Sequence, residues 1–154
     1  NGGGFICPLV YYLGRSGVVE VEGVKIGGLT GLYSQKHYNE PLGEPNYDWK
    51  YYRRADVELL LEEKTLDVLL VHDWPTPIES DMKILASENV SDCIASEPHT
   101  PATHLIDKLK PTYVFAGHRH IPYIEVEMGE TTFVGLQSID REKCMHVIEF
   151  TESS

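Results

Sequence analysis

Three histidines stand where the chain leaves two apolar runs. His72 follows the first in "LDVLLVHDWP" (66–75), and His118 and His120 follow the second in "PTYVFAGHRH" (111–120). Neutral imidazole is the commonest transition-metal ligand, and zinc, iron and manganese accept it alongside carboxylate oxygen. Two histidines spaced two apart after Gly117 can point to different sides and so serve two ions. One histidine after a strand is ordinarily incidental; three in this arrangement favour a metal site.

The elements that must carry them are legible as a repeated unit. "ADVELLLEEK" places Val57, Leu60 and Leu61 at helical spacing, and a continuous apolar run of strand type follows it and ends at His72. In "HTPATHLIDKLKP", Thr100 stands at an N-cap position with Pro101 as first helical residue. Ala102, Leu105, Ile106 and Leu109 mark one apolar face, and Pro111 stops that helix before the second buried strand. Twice a helix feeds a buried strand whose carboxyl end delivers histidine. This alternation predicts an α/β fold with a largely buried sheet and a ligand site at the carboxyl ends of its strands.

Other stretches frame this core. "VVEVEGVKIGGLTG" (18–31) alternates around Gly23 and predicts a hairpin ending in a glycine-rich turn, and "IPYIEVEMGETTFVGLQ" predicts another around Met128-Gly129. No GK[ST] follows the glycines, so no phosphate-cradling loop of that type is expected. "MHVIEF" predicts a closing strand that holds His146. Residues 32–54 form a long loop rich in aromatics, proline and glycine; loops of that length are usually functional or disordered, and the rings argue against disorder. His99 and His104 are expected at a helix entry and on its surface, and Cys7 as a small buried hydrophobe.

Composition narrows the function classes. A chain of 154 residues accommodates one domain with a real core. No apolar stretch is long enough to span a membrane as a helix. The net charge of −11 opposes non-specific binding to nucleic-acid backbones unless local cations intervene. Cys7, Cys93 and Cys144 are odd in number and form no CxxC pair, which predicts an intracellular, reducing setting and reduces Asn89 in "NVS" to a chance sequon. The start at Asn1 rather than a methionine suggests a fragment.

"HDWP" followed by "GHRH" resembles the last two metal-binding motifs of the calcineurin-like metallophosphoesterases. With "VYYLGRSGVVEVEGVKIGGLTGLY" and "LKPTYVFAGHRH", the chain looks most similar to RNA lariat-debranching enzymes over roughly residues 2–121. The stretch "FVGLQSIDREKCMHVIEF" looks more like splicing-associated, catalytically degenerate relatives. The resemblance implies the carboxyl-terminal half of a layered α/β/β/α sandwich, as a single partial domain over residues 1–154. It implies two divalent ions (manganese, iron or zinc), with His72 and His118 on one and His120 on the other. Asp73, Trp74 and Gly117 would stand behind these ligands, Asp73 and Trp74 ordering His72 and the pocket wall. The aromatic loop matches, in shortened form, the loop by which debranching enzymes recognise the lariat. Within it Lys50, Tyr51, Tyr52, Arg53 and Arg54 offer cations for phosphate and rings for base stacking; packing of those rings onto the domain is the competing expectation.

The implied reaction is phosphodiester hydrolysis by a water activated between two ions, in debranching enzymes at the 2′–5′ bond of branched RNA. The family's upstream motifs, an Asp-x-His type pair, a Gly-Asp and a Gly-Asn-His, are absent from these residues. Half of a dimetal site is therefore expected here, completed by upstream sequence or by a second polypeptide. The alternative is a non-catalytic module of the same fold that binds RNA or protein.

Overall fold

The computed structural model describes residues 3–41, 49–76, 78, 100–118, 123–137, 142 and 144–150. Of the residues singled out above, His120, His99, Cys93 and Asn89 lie outside them, as does part of the aromatic loop.

Six strands form one mixed sheet: β3 (Ser16–Val21), β4 (Val24–Leu29), β5 (Val68–Val71), β6 (Tyr113–Ala116), β7 (Ile124–Met128) and β8 (Thr131–Gly135), in the spatial order β3-β4-β5-β6-β8-β7. β4, β5, β6 and β8 run parallel, and β3 and β7 close the two edges antiparallel. A separate antiparallel pair, β1 (Gly4–Cys7) with β2 (Val10–Tyr12), precedes them. Three helices are described: α1 (Gln35–Tyr38), α2 (Arg54–Leu60) and α3 (Pro101–Leu109). The architecture is α/β, as the alternation predicts, and is consistent with the carboxyl-terminal half of the metallophosphoesterase sandwich that the resemblance implies.

Both expected hairpins form. β3 and β4 meet through Glu22 and Gly23, each with positive φ, with Val21 opposite Val24. That is the two-residue turn whose twist matches the flanking strands. Gly129 turns β7 into β8 with φ 66°. Gly27 and Gly28, expected in a turn, lie inside β4 instead. A Cβ on Gly27 would come within 2.5 Å of the Leu66 side chain, so glycine there lets Leu66 close onto the sheet.

The helix-to-strand units also form as expected. Leu69, Val71, Val114, Ala116 and Phe133 share a cluster with Val57 and Leu60 of α2 and Leu105, Ile106 and Leu109 of α3. Each fully buried leucine contributes about 1.5–3 kcal/mol, which outweighs what helical propensity gives segments this short. α3 starts on Thr100, whose hydroxyl accepts the Thr103 N–H, and ends through Lys110 in the left-handed region at φ 45°. Thr76 is tied to that start: its N–H donates to Thr103 Oγ1 at 3.1 Å, and its hydroxyl accepts the Thr100 N–H at 3.2 Å. The residue after the His-Asp-Trp-Pro run is thereby fixed to the next helix.

Two expectations need correction. Met145–Phe150 pairs with no strand among the described residues; side chains hold it instead. The His146 ring stacks on Tyr123 at 6.0 Å, and Phe150 meets Tyr113 edge-on at 6.2 Å. Cys7 is exposed rather than buried, on the β1–β2 pair, which no periodicity announced.

Thr100→Ala removes the cap and the 3.4 Å bond that the Thr76 hydroxyl donates to Thr100 Oγ1. It is expected to cost about 1–2 kcal/mol, read as a lower urea midpoint with an unchanged m-value.

Candidate active site

The register brings four strand ends into one row: Leu29 is opposite Val71, Val71 opposite Ala116, and Ala116 opposite Gly135. The residues that follow share the carboxyl edge of the parallel strands, where ligand sites of open α/β sheets form. His72 is the first residue past β5, and Gly117 and His118 are the first two past β6. Their imidazoles meet, with ring centres 4.5 Å apart and planes at 59°. His72 is exposed and His118 half-buried.

Trp74 sets this approach. Its indole N–H donates to the Gly117 carbonyl at 2.6 Å, joining the segment after β5 to the segment after β6. Trp74 is 2% exposed and stands edge-on to Phe133 of β8 at 5.1 Å. A Cβ on Gly135 would lie 2.8 Å from the same indole, so that position admits only glycine without a shift. One side chain therefore fixes three strand ends. With Gly117 held, His118 takes a φ of 73°. A non-glycine residue there costs about 1–3 kcal/mol, and such strain clusters at functional sites.

Asp73, expected behind His72, holds a distant segment. Its Oδ2 accepts the backbone N–H of Tyr33 and, at 3.2 Å, the hydroxyl of Tyr52. Both donors belong to a strap of two limbs, residues 30–33 and 49–53. The Leu32 N–H donates to the Lys50 carbonyl and the Tyr52 N–H to the Leu32 carbonyl, at 2.7 and 3.2 Å. Arg15 secures the outer limb through the carbonyls of Tyr51 and Trp49, at 3.1 and 2.6 Å. Gly31 has φ 102°, and a Cβ on it would lie 2.8 Å from the Lys50 carbonyl, so the limbs could not approach with a larger residue.

The five residues expected to bind substrate separate on this strap. Tyr52 and Arg53 are each 1% exposed, which corrects that assignment for both. Arg53 donates to the Tyr51 carbonyl and pairs with Glu40 at 3.1 Å, while its N–H donates to Asp56 in a capping box that starts α2. These are structural roles. Lys50 and Arg54 are exposed, and Tyr51 is half-buried with its ring stacked on His37 at 4.8 Å and 8°. The Arg54 guanidinium sits 5.6 Å over Tyr38. Sequence reasoning missed Trp49, 75% exposed with the Arg15 guanidinium 5.4 Å over its ring. Trp49 adjoins Lys50 and could have been included; Arg15 carries no local signal, since its partners lie 34 and 36 residues away.

The histidine pair was tested for metal fit by geometry. Two imidazoles bound about 2.1 Å from one ion on adjacent octahedral positions have ring centres about 4.5 Å apart. The 4.5 Å between the His72 and His118 rings is a spacing that two ligands of one octahedral ion adopt. Among the described residues no third histidine, cysteine or carboxylate completes a group with them.

The sequence adds an independent line. A lariat debranching enzyme of Arabidopsis thaliana is 34% identical over 96% of this chain, and those of Homo sapiens and Schizosaccharomyces pombe are 32% and 33% identical over 79% and 80% of it. The chain is a relative of the lariat debranching enzymes. It spans only a part of them: 40% of the Arabidopsis protein, 25% of the human and 30% of the yeast. No protein-family model matches the chain. In each of these relatives the matched stretch is part of one longer polypeptide, so completion by a second polypeptide finds no support. No helix among the described residues is long and apolar enough to cross a membrane.

Two consequences can be measured. Trp74→Phe deletes the donor to Gly117 and the part of the ring that lies against Gly135; it is expected to cost about 1–3 kcal/mol or more in urea unfolding and to shift the His118 imidazole resonances. Burial, then the charge and hydrogen bond of Asp73, push the Tyr52 phenol above its ordinary value. Above about pH 10, where an unfolded phenol ionises, the unfolded chain then binds fewer protons than the folded one. Stability is expected to fall as pH rises beyond that point, and Tyr52→Phe to flatten the fall in unfolding midpoints between pH 8 and 11.

Proposed function

We propose that this chain forms the carboxyl-terminal part of a metal-dependent phosphodiesterase of debranching type, a hydrolase acting inside the cell on phosphodiester bonds of RNA. The observation that carries it is the convergence of His72 and His118 at one carboxyl edge, 4.5 Å apart, with His118 in a strained backbone conformation. The names of the relatives support a phosphodiester in branched RNA as substrate, and they do not favour the non-catalytic alternative.

In this reading His72 and His118 hold one divalent ion, manganese, iron or zinc, through neutral ring nitrogens. His120, two residues on, holds the second. Bound ions supply Lewis-acid polarisation of the phosphoryl oxygens and an activated water. The chain's own residues do the rest. Trp74 keeps Gly117 and therefore His118 in place against His72. Lys50, Arg54 and Arg15 give local positive charge on an otherwise acidic chain, and Trp49 and Tyr51 offer ring faces to unpaired bases. Residues 1–154 make one partial domain, and the remaining metal ligands come from the rest of the same polypeptide.

The test is metal content and hydrolysis of 2′–5′ branched RNA by the full-length protein. His72→Ala and His118→Ala are each expected to lower metal content and to reduce hydrolysis at least about a hundredfold, since activation of water depends on the bound ions. A His118→Ala protein that hydrolyses branched RNA at the unmodified rate would overturn the reading.

A further inference from the structure

We propose that Asp73 is the positioning residue that fixes the aromatic strap relative to the histidine pair, and so sets how an unpaired nucleic-acid strand meets the site. The substrate part of this inference rests on the phosphodiesterase reading; the strap part does not.

The geometry is economical. Asp73 is bonded directly to His72, so the backbone that leaves β5 places the imidazole and the carboxylate together. The carboxylate then takes one donor from each limb of the strap: the Tyr33 N–H from the inner limb and the Tyr52 hydroxyl from the outer one. The limbs also meet through the Leu32–Lys50 and Tyr52–Leu32 backbone bonds and through the tilted rings of Tyr33 and Tyr52, 6.3 Å apart. On the outer limb ride Trp49, Lys50 and Tyr51, which present the ring faces and the charge. An oxygen that accepts from both limbs thus carries the position of the strand end into the strap through one covalent link.

Chemistry limits what can replace it. The two donors need one oxygen with free lone pairs, which a carboxylate and a primary amide both provide and a methyl group does not. The Oδ2 contacts serve the strap, and support of His72 as a ligand is a distinct role. The two roles separate experimentally, because loss of a ligand's support lowers metal affinity and turnover, whereas loss of the strap's placement weakens binding of the strand.

The experiment has two arms on the folded protein with Asp73→Ala, Asp73→Asn and Tyr52→Phe. In amide hydrogen exchange, Asp73→Ala is expected to speed Leu32, Tyr33 and Tyr52 by about tenfold or more while Leu69 and Val114 stay unchanged, and Asp73→Asn to remain within about twofold of the unmodified protein. Tyr52→Phe, which leaves the Tyr33 contact, should speed Tyr52 and Leu32 by a smaller factor; it decides the question if Asp73→Ala fails to fold. Unchanged exchange in the strap overturns the proposal. In the second arm the full-length protein is assayed for KM and kcat on branched RNA, for metal content, and for Kd of a fluorescent single-stranded oligoribonucleotide. KM and Kd are expected to rise about tenfold in Asp73→Ala with kcat and metal content held within about threefold, and the asparagine variant to recover both. A fall in metal content and kcat at constant KM overturns it in favour of His72 ordering. If the unmodified protein does not hydrolyse branched RNA, the phosphodiesterase reading fails by itself, and exchange with the oligonucleotide Kd still decides the role of Asp73.

Discussion

The candidate site depends on one hydrogen bond, from the indole of Trp74 to the carbonyl of Gly117. Parallel strands are tied to one another along their length, but their ladders stop where ligands begin, and the chain beyond needs another restraint. Here it is supplied by the residue two positions after one candidate ligand, acting on the residue just before another. The buried ring adds contact with Phe133 and demands glycine at position 135, so β8 joins the same lock. Without that lock, the unfavourable backbone of His118 would relax. The strain and the restraint are two sides of one arrangement, and it brings imidazoles together rather than merely packing a core.

A second constraint concerns charge. A chain with net charge −11 is a poor host for a phosphodiester unless positive charge is concentrated where the bond must lie. The strap sorts its cations into buried and surface ones. Arg53 is drawn inward and used up on Glu40 and the Tyr51 carbonyl, while Arg15, Lys50 and Arg54 stay near the surface beside aromatic rings. The guanidinium groups over Trp49 and Tyr38 hold the rings and the charge as paired surfaces, a composition suited to stacked bases flanked by phosphate.

How much of this the sequence disclosed depends on the range of the interaction. Strands β5 and β6, the hairpin turns at Gly23 and Gly129, and the Thr100-Pro101 start of α3 are local in origin, written in runs, turn residues and caps. The histidines at the strand ends were legible for the same reason. What the sequence hid was long-range. Whether Arg53 faces solvent or lies buried depends on Glu40 and Asp56, which the run KYYRR does not reveal; of the two expectations for that run, packing onto the domain holds for Tyr52. The resemblance places Asp73 behind His72, but the donors to its Oδ2 lie 40 and 21 residues away and leave no local signal. The expected strand at Met145–Phe150 has the right alternation but no neighbouring strand among the described residues, and a strand is a property of a pair.

The sheet and the site share one asymmetry. Parallel strands are ordinarily buried on both faces. Here the face carrying Leu69, Val114 and Phe133 is covered by α2 and α3, whereas on the other Leu70 is 42% exposed and Tyr113 and Phe115 are sheltered only in part, with His146 and Phe150 against them. The histidines repeat the pattern: two imidazoles converge at a spacing that suits one ion, and no third ligand joins them among the described residues. The relatives carry the matched stretch within polypeptides two and a half to four times as long, judged by the 40% and 25% of their length it spans.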